Sequence, residues 1–185
     1  MVNREKIQKV ETLHLYIALR RNKENKERRN EICIREIDRG ISSIEILKQK
    51  TLKYHGVWRI YKTVNSRDPI KAQKLLMKQI IDNPENAYKL ESVWKTCLLQ
   101  PKCRAENNFM WDVDLNIEIE ELKKYFKERG AFIKEIVKSP NGYNVVTEKC
   151  DVRKFTDDWC KYYRDRYVFV ERYIVGENNE NDITE

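Results

Sequence analysis

The sequence predicts an α+β protein in which a mixed or antiparallel sheet packs against helices. Segments with the composition of strands occur throughout the chain, and segments with helical periodicity lie between them. Several predicted strands follow one another closely enough to form hairpins. The 185 residues are 41% hydrophobic and 10% aromatic, which provides enough apolar side chains for a core and argues against disorder.

The first half of the chain begins with a predicted hairpin. Residues 13–19 are an apolar run and residues 31–37 alternate in part, so we expect two paired strands. Isoleucine and leucine residues spaced between 41 and 52 predict a helix. Gly56 precedes a predicted strand at 57–64, because that segment is rich in β-branched and aromatic residues.

Two helices are expected next, and both carry the same start signal. Asp68-Pro69 and Asn83-Pro84 each place a capping side chain before a proline at the first helical position. We expect the second of these helices to run to about Gln100. The remaining predicted elements are strands at 109–115, 132–137, 143–147 and 167–175, helices at 118–129 and 151–163, and a turn at 139–142.

The charge of the chain suggests an acidic partner. Lysine and arginine total 37 against 30 acidic residues, a net charge of +7, and a basic balance of this size is typical of proteins that bind nucleic acid. Residues 176–185 contain four acidic residues and no basic one, which leaves a net +11 on residues 1–175. We expect residues 1–175 to form a single domain and residues 176–185 to be a disordered acidic tail.

Six of the ten residues from 20 to 29 are basic, and they fall in the loop predicted between the first two strands. A solvated hairpin loop has this composition without binding a ligand, so one interpretation is purely structural. The other is a loop that contacts the phosphates of a nucleic acid. The candidate nucleic-acid contacts are Arg20, Arg21, Lys23, Arg28 and Arg29.

Asp112 and Asp114 form the sharpest chemical motif in the sequence. Residues two apart share one face of a strand, so both carboxylates point one way while Trp111, Val113 and Leu115 face the core. Adjacent carboxylates raise each other's pKa, and a divalent cation such as Mg²⁺ or Mn²⁺, which prefers oxygen ligands, relieves the repulsion. An ordinary solvated strand face also carries such pairs, and the motif by itself leaves both interpretations open.

The predicted turn at 139–142 leads into a strand with Asn144 and Val146 on one face. The backbone amides of such a turn are able to meet a phosphate. More commonly, a turn of this kind only closes a hairpin.

In order and spacing, these segments resemble the catalytic core of the archaeo-eukaryotic primase superfamily, and most of all its small members from phages and bacteria. In that family, a strand ending in Asp-x-Asp binds the metals, and a strand after a glycine-containing turn supplies a histidine to the nucleotide phosphates. A third acidic residue lies on a later strand. The resemblance covers residues 13 to 175 and implies an RNA-recognition-like sheet, Mg²⁺ or Mn²⁺, and a place in DNA replication.

The resemblance also implies roles for individual residues. Asp112 and Asp114 would be catalytic metal ligands, with Glu171 as the third acid. An Arg-x-Tyr strand leading to Asn-x-Arg corresponds to Arg59, Tyr61, Asn65 and Arg67. The residues implied to contact nucleotide phosphates are Arg59, Asn65, Arg67 and Asn144.

Asn144 departs from the family pattern, because it stands where the family has histidine. An amide hydrogen-bonds a phosphate but carries no positive charge and shuttles no proton. The leading hypothesis is a protein that binds nucleic acid or nucleotides, with metal-dependent nucleotidyl transfer if it is active. The alternatives are a catalytically inactive DNA- or RNA-binding or adaptor protein, which Asn144 favours, and a metal-dependent nuclease. Partners would be DNA or RNA, a nucleoside triphosphate, and other replication or host proteins.

Hydropathy excludes a membrane-spanning class. Mean hydropathy is −0.79, and no apolar run approaches the roughly 18 residues that a membrane span needs. The first ten residues are polar and charged, so we expect no secretory signal, reduced cysteines and a cytoplasmic protein, in the host cytoplasm if a phage encodes it. The spacing of the five cysteines does not fit a zinc site.

Overall fold

The predicted α+β class is confirmed by the computed structural model, which describes residues 11–26, 31–40 and 42–176. In these residues the strands form two four-stranded antiparallel sheets, where the sequence had suggested one. In chain order the elements are β1 (Leu15–Arg20), α1 (Asn22–Asn25), β2 (Ile32–Ile37), α2 (Ser42–Thr51), β3 (Gly56–Thr63), α3 (Pro69–Asp82), α4 (Leu90–Leu98), β4 (Phe109–Val113), α5 (Ile119–Glu128), β5 (Ile133–Ser139), β6 (Gly142–Thr147), β7 (Cys160–Tyr163) and β8 (Tyr167–Val175), with 3₁₀ helices at Pro84–Lys89, Pro101–Cys103 and Val152–Lys154.

The first sheet has the strand order β2-β1-β3-β8, and α2 covers one of its faces. Leu47 of α2 packs into a buried cluster with Ala18, Trp58 and Ile60. The predicted alternation of β3 accounts for this, because Trp58 and Ile60 point to the same side. Helices α3 and α4 pack against Leu15 and other buried residues of this sheet, and Asp68 caps α3 as predicted by accepting from two backbone amides.

The second sheet has the order β5-β6-β4-β7, and α5 covers its outer face. Leu122 and Phe126 of α5 bury themselves against Trp111 and Val113 of β4. The inner face of this sheet carries Met110, which meets the first sheet in a small apolar cluster. The other members of that cluster are Val64, Val146 and Val168.

The helix predicted at 151–163 is wrong. The segment contains a single 3₁₀ turn at Val152–Lys154 and then β7, which pairs with β4 at the edge of the second sheet. Phe155, Trp159 and Tyr162 pack around the buried cluster of Trp111. Pairing with β4 provides hydrogen-bond partners for the backbone of β7 and buries these aromatic rings. The spacing of apolar residues along the segment did not indicate this pairing.

Other segments also differ from the predictions. The segment after Asn83 begins as the 3₁₀ helix Pro84–Lys89, and only Leu90–Leu98 is α-helical. The basic loop between β1 and β2 contains the short helix α1. Asn25 at the end of α1 anchors this loop, because its side-chain oxygen accepts from the Val57 amide at 2.7 Å.

Arg67 is a buried clamp: it joins the segment after β3 to the segment before β8 through Asp165. The implied contact of Arg67 with a phosphate is therefore wrong, because its side chain is buried. Its side chain is 2% exposed, and Nη1 and Nη2 each donate to a carboxylate oxygen of Asp165 at 2.9 Å. The neighbouring Asn65 is equally buried and exchanges hydrogen bonds with the backbone of Asn108. Both side chains hold the chain between β3 and α3 in place and face no open surface.

Replacing Arg67 with methionine is expected to lower the free energy of unfolding by about 3 kcal/mol, because Asp165 loses its two-point partner and keeps the more distant Arg104 at 3.8 Å. Urea denaturation measures this change. Lys71→Met removes an exposed ion pair with Asp68 and should cost less than about 1 kcal/mol. Equal effects of the two substitutions would contradict the assignment of Arg67 as a clamp.

Glu36 is a second buried charge, 4% exposed on β2. Lys50 of α2 contacts its Oε2, and the Nζ of Lys95 of α4 lies 3.4 Å from the same oxygen. Burial alone would raise the pKa of Glu36, but the Lys50 hydrogen bond, the Ile37 amide and the Lys95 charge hold it below its usual 4.5. This cluster ties the first sheet to two helices.

The stability that Glu36 contributes should be complete above about pH 4.5 and lost as the pH falls through its lower folded-state pKa. In Glu36→Gln we expect lower stability at pH 7 and a weaker loss on acidification, because no carboxylate is left there to protonate. Thermal unfolding followed from pH 7 to pH 3 measures both effects. Glu45→Gln, at an exposed position of α2, serves as the control, and a matching pH profile in the two variants would refute the role of Glu36.

Candidate functional site

A cleft of about 590 Å³ lies between the two sheets. One wall is the face of the first sheet that α2 leaves uncovered, including Arg59, Tyr61 and Phe169. The other wall is the inner face of the second sheet, with Asp112 and Asn144. The cleft therefore combines carboxylates, arginines and aromatic rings from strands that are distant in sequence.

The acidic wall consists of Asp112 and Asp114. Asp112 is on β4, half-buried, with Asn144 of β6 and Lys161 of β7 opposite it in the two neighbouring strands. Asp114 follows the end of β4 and is exposed, and its Oδ2 lies 3.4 Å from Lys161 Nζ. As the sequence predicted, both carboxylates face the same side, while Trp111 and Val113 are buried on the other. Leu115 is 39% exposed and does not share that core.

Burial raises the pKa of Asp112, and the nearby charge of Asp114 raises it further. Arg166, Lys161 and the hydrogen bond from Asn144 act in the opposite direction without cancelling the effect. A carboxylate whose charged form is disfavoured by burial and by a like charge gains stability from an added cation. The charge of Asp112 is therefore only partly compensated by the cations around it, Arg166 and Lys161.

Asn144 links the two walls. Its Nδ2 donates to Asp112 Oδ1 at 3.0 Å, and its Oδ1 accepts from the backbone N–H of Phe169 on β8 at 2.9 Å. The orientation of the amide follows from its neighbours, since a backbone N–H only donates and a carboxylate accepts. The side chain is 5% exposed and both polar atoms are engaged, so Asn144 is a structural link between the two sheets, and its implied contact with a phosphate stays a prediction.

The turn between β5 and β6 stands at the edge of the cleft because Gly142 permits a very close approach to β4. A Cβ at this position would lie 1.9 Å from the Val113 carbonyl oxygen, so another residue would push the strands apart. Residues 139–141, which precede Gly142, line the cleft. The glycine therefore places this turn near Asp114.

The opposite wall is basic and aromatic. Arg59 is held by Glu24 of α1, with its Nε at 2.9 and 3.0 Å from the two carboxylate oxygens, so its charge is largely neutralised. Arg35 and Arg166 are exposed and line the cleft as well, and the Arg166 guanidinium lies 3.8 Å from the ring centre of Tyr163. These two arginines are the cations that best face a ligand.

Glu171 does not join the carboxylate pair, which corrects the third ligand that the resemblance implies. A β-bulge in the pairing of β3 with β8 places Phe169 opposite Tyr61 and Glu171 opposite Ile60. As a result, residues 169 and 171 no longer share a face. Phe169 lines the cleft, whereas Glu171 pairs with Lys48 of α2 at 3.0 Å on the covered side.

The basic segment between residues 20 and 29 contributes in part. Arg21 lines the cleft, while the Nε of Arg20 donates to the His55 carbonyl at 2.5 Å. Lys23 is exposed and is not part of the cleft. Arg28, Arg29 and residues 177–185 of the predicted acidic tail lie outside the described residues.

Among the residues of the cleft that sequence reasoning missed are Arg35, Arg166 and Phe169. Arg35 was detectable, because alternation in β2 places it on the same face as Cys33, another residue of the cleft. Arg166 follows a wrongly predicted helix, and Phe169 depends on the bulge, so only the folded chain assigns them to the cleft.

Asp112 and Asp114 fit a divalent cation whose remaining ligands come from water and from the phosphates of a bound molecule. Asp112 and Asp114 supply carboxylate oxygens, but within residues 11–26, 31–40 and 42–176 no group of three or more His, Cys, Asp or Glu side chains is placed to hold a metal. Mg²⁺ is commonly bound by one or two carboxylates together with water and substrate phosphates. Two carboxylates are sufficient for that mode of binding.

Comparisons with protein-family models, with curated proteins and with solved structures found no match for this chain. The resemblance to the primase superfamily therefore stays a prediction that depends on the short motifs. Among the helices that the structure describes, none combines the length and the apolar character needed to cross a membrane.

Asp114→Asn is expected to lower the pKa of Asp112, because it removes the neighbouring negative charge while burial is unchanged. Carboxyl carbon NMR shifts followed against pH measure this pKa. Asp82→Asn, on the exposed surface of α3, should leave it unchanged. If Asp114→Asn also leaves the pKa unchanged, the two carboxylates do not interact.

Proposed function

We propose that this protein binds nucleotides or nucleic acid in the cleft, through a Mg²⁺ or Mn²⁺ ion shared by Asp112, Asp114 and the ligand's phosphates. The observation that carries the proposal is a half-buried carboxylate, with its pKa raised beside a second carboxylate, in the same cleft as exposed arginines. Anionic phosphates are repelled by the carboxylates alone and attracted once a cation lies between them.

The arginines support a phosphate ligand over a neutral one. Arg35 lies on β2 and Arg166 lies just before β8. Both side chains are exposed, so they can approach phosphate oxygens without breaking a contact with a buried partner. Arg59 supports the wall through Glu24 and contacts a phosphate only if that pair opens. The bound cation would neutralise charge on the phosphates.

Two candidate activities share this site. The carboxylate pair favours nucleotidyl transfer of the primase type, because a metal held there aligns phosphates with an attacking hydroxyl. The engaged Asn144 and the distant Glu171 favour a catalytically inactive binding or adaptor protein, since they remove a proton carrier and a third ligand from the cleft. We favour binding without transfer, with DNA, RNA or a nucleoside triphosphate as the ligand and other replication proteins as partners.

Titration with Mn²⁺ and ATP is expected to raise the Tm of the wild-type protein, because a ligand that binds only the folded state stabilises it. Asp112→Asn should weaken Mn²⁺ binding by at least about tenfold while retaining an acceptor for the Asn144 amide. Asp82→Asn is the matched control on an exposed helix. Absence of stabilisation at millimolar Mn²⁺, with and without ATP, would refute the metal site.

The same preparations separate the activities. Extension of a labelled primer with nucleoside triphosphates and Mn²⁺ would establish transfer, cleavage of the labelled strand would establish a nuclease, and binding without either would establish the inactive protein. Asp112→Asn should abolish extension or cleavage, and activity that survives this substitution does not come from the cleft. Binding of nucleic acid should weaken steeply as salt increases, whereas a flat response would contradict phosphate recognition.

A further inference from the structure

Tyr61 and Phe169 form an aromatic floor in the cleft. They lie opposite each other on β3 and β8, with ring centres 6.0 Å apart and planes at 78°. Both are half-buried and line the cleft, and neither belongs to the apolar clusters found among the described residues. Tyr143, by contrast, is packed in the cluster under α5. Beyond the contact between the two rings, the floor therefore presents aromatic surface to the cleft.

We propose that the base of a nucleoside triphosphate packs against the floor of Tyr61 and Phe169, stacking on one ring and meeting the other at an angle, while its phosphates meet the cation at Asp112 and Asp114. This inference rests on the proposed function and specifies its ligand. It follows from the combination of an aromatic floor, a carboxylate pair and exposed arginines in one cleft, because a nucleotide carries a planar apolar group and phosphates on one small molecule.

The floor and the carboxylates are close together. The backbone N–H of Phe169 is hydrogen-bonded to Asn144, and the same amide is hydrogen-bonded to Asp112. Only one side chain thus separates the strand that carries the ring from the strand that carries the carboxylate. A single nucleotide is therefore able to contact both without extending out of the cleft.

The size of the cleft favours one nucleotide over a duplex. Its volume of about 590 Å³ lies within the range of roughly 300 to 1,000 Å³ that sites for single small ligands occupy. Stacking on an aromatic ring tolerates any base, because every base has a π face. We therefore expect ATP, GTP, CTP and UTP to bind with affinities within a few-fold of one another.

The experiment compares ATP with inorganic tripolyphosphate, both with Mn²⁺, by calorimetry on the full chain. The wild-type protein should bind ATP about tenfold more tightly, since a stacked base adds affinity that tripolyphosphate lacks. Tyr61→Leu and Phe169→Leu should each lose most of that difference and leave tripolyphosphate binding unchanged. Phe169→Leu retains the backbone N–H that Asn144 accepts from, and Tm values verify that both variants fold.

Tyr88→Leu and Phe132→Leu are the matched controls, because these rings are 93% and 65% exposed and lie outside the cleft. Equal affinity for ATP and tripolyphosphate, or unchanged ATP affinity in both cleft variants, would overturn base stacking and leave the proposed metal and phosphate site standing. Failure of tripolyphosphate as well as ATP to bind would overturn both. Binding of a single-stranded oligonucleotide in the cleft without any binding of ATP would also overturn the nucleotide proposal.

Discussion

The arrangement of the cleft depends on one buried side-chain amide. Asn144 donates to Asp112 on its own sheet and accepts from the Phe169 backbone on the other, so it joins the carboxylate wall to the aromatic wall. The Phe169 N–H belongs to an edge strand and would otherwise lie near the interface without a strand partner. A histidine has a different shape and carries charge in its protonated form, so it is no simple substitute at this link.

Buried charges divide into two classes in this protein. Arg67 with Asp165, and Glu36 with Lys50 and Lys95, are paired within the fold and hold elements together. Asp112 differs, because its neighbour Asp114 has the same sign and its pKa is raised. A charge that the fold does not fully compensate is a better candidate for ligand binding than one that it does.

Several features were accessible from the sequence because they depend on neighbouring residues. The Asp68 cap, the alternation of β3 that buries Trp58 and Ile60, and the shared face of Asp112 and Asp114 all follow from local spacing. Features that depend on distant partners were missed or misassigned. Glu171 moves to the covered face through a bulge, and β7 is a strand because β4 offers it an edge.

By itself, the sequence determined the α+β class, the basic character of the chain and the acidic pair at the end of β4, because composition and strand period are local properties. Only the tertiary structure decided which cations face that pair. Arg67, implied as a phosphate contact, is buried against Asp165, whereas Arg35 and Arg166 come to the cleft from segments far apart in sequence. The reason is physical: an arginine either satisfies a buried carboxylate or remains open to a ligand, and that choice depends on partners that only folding brings together.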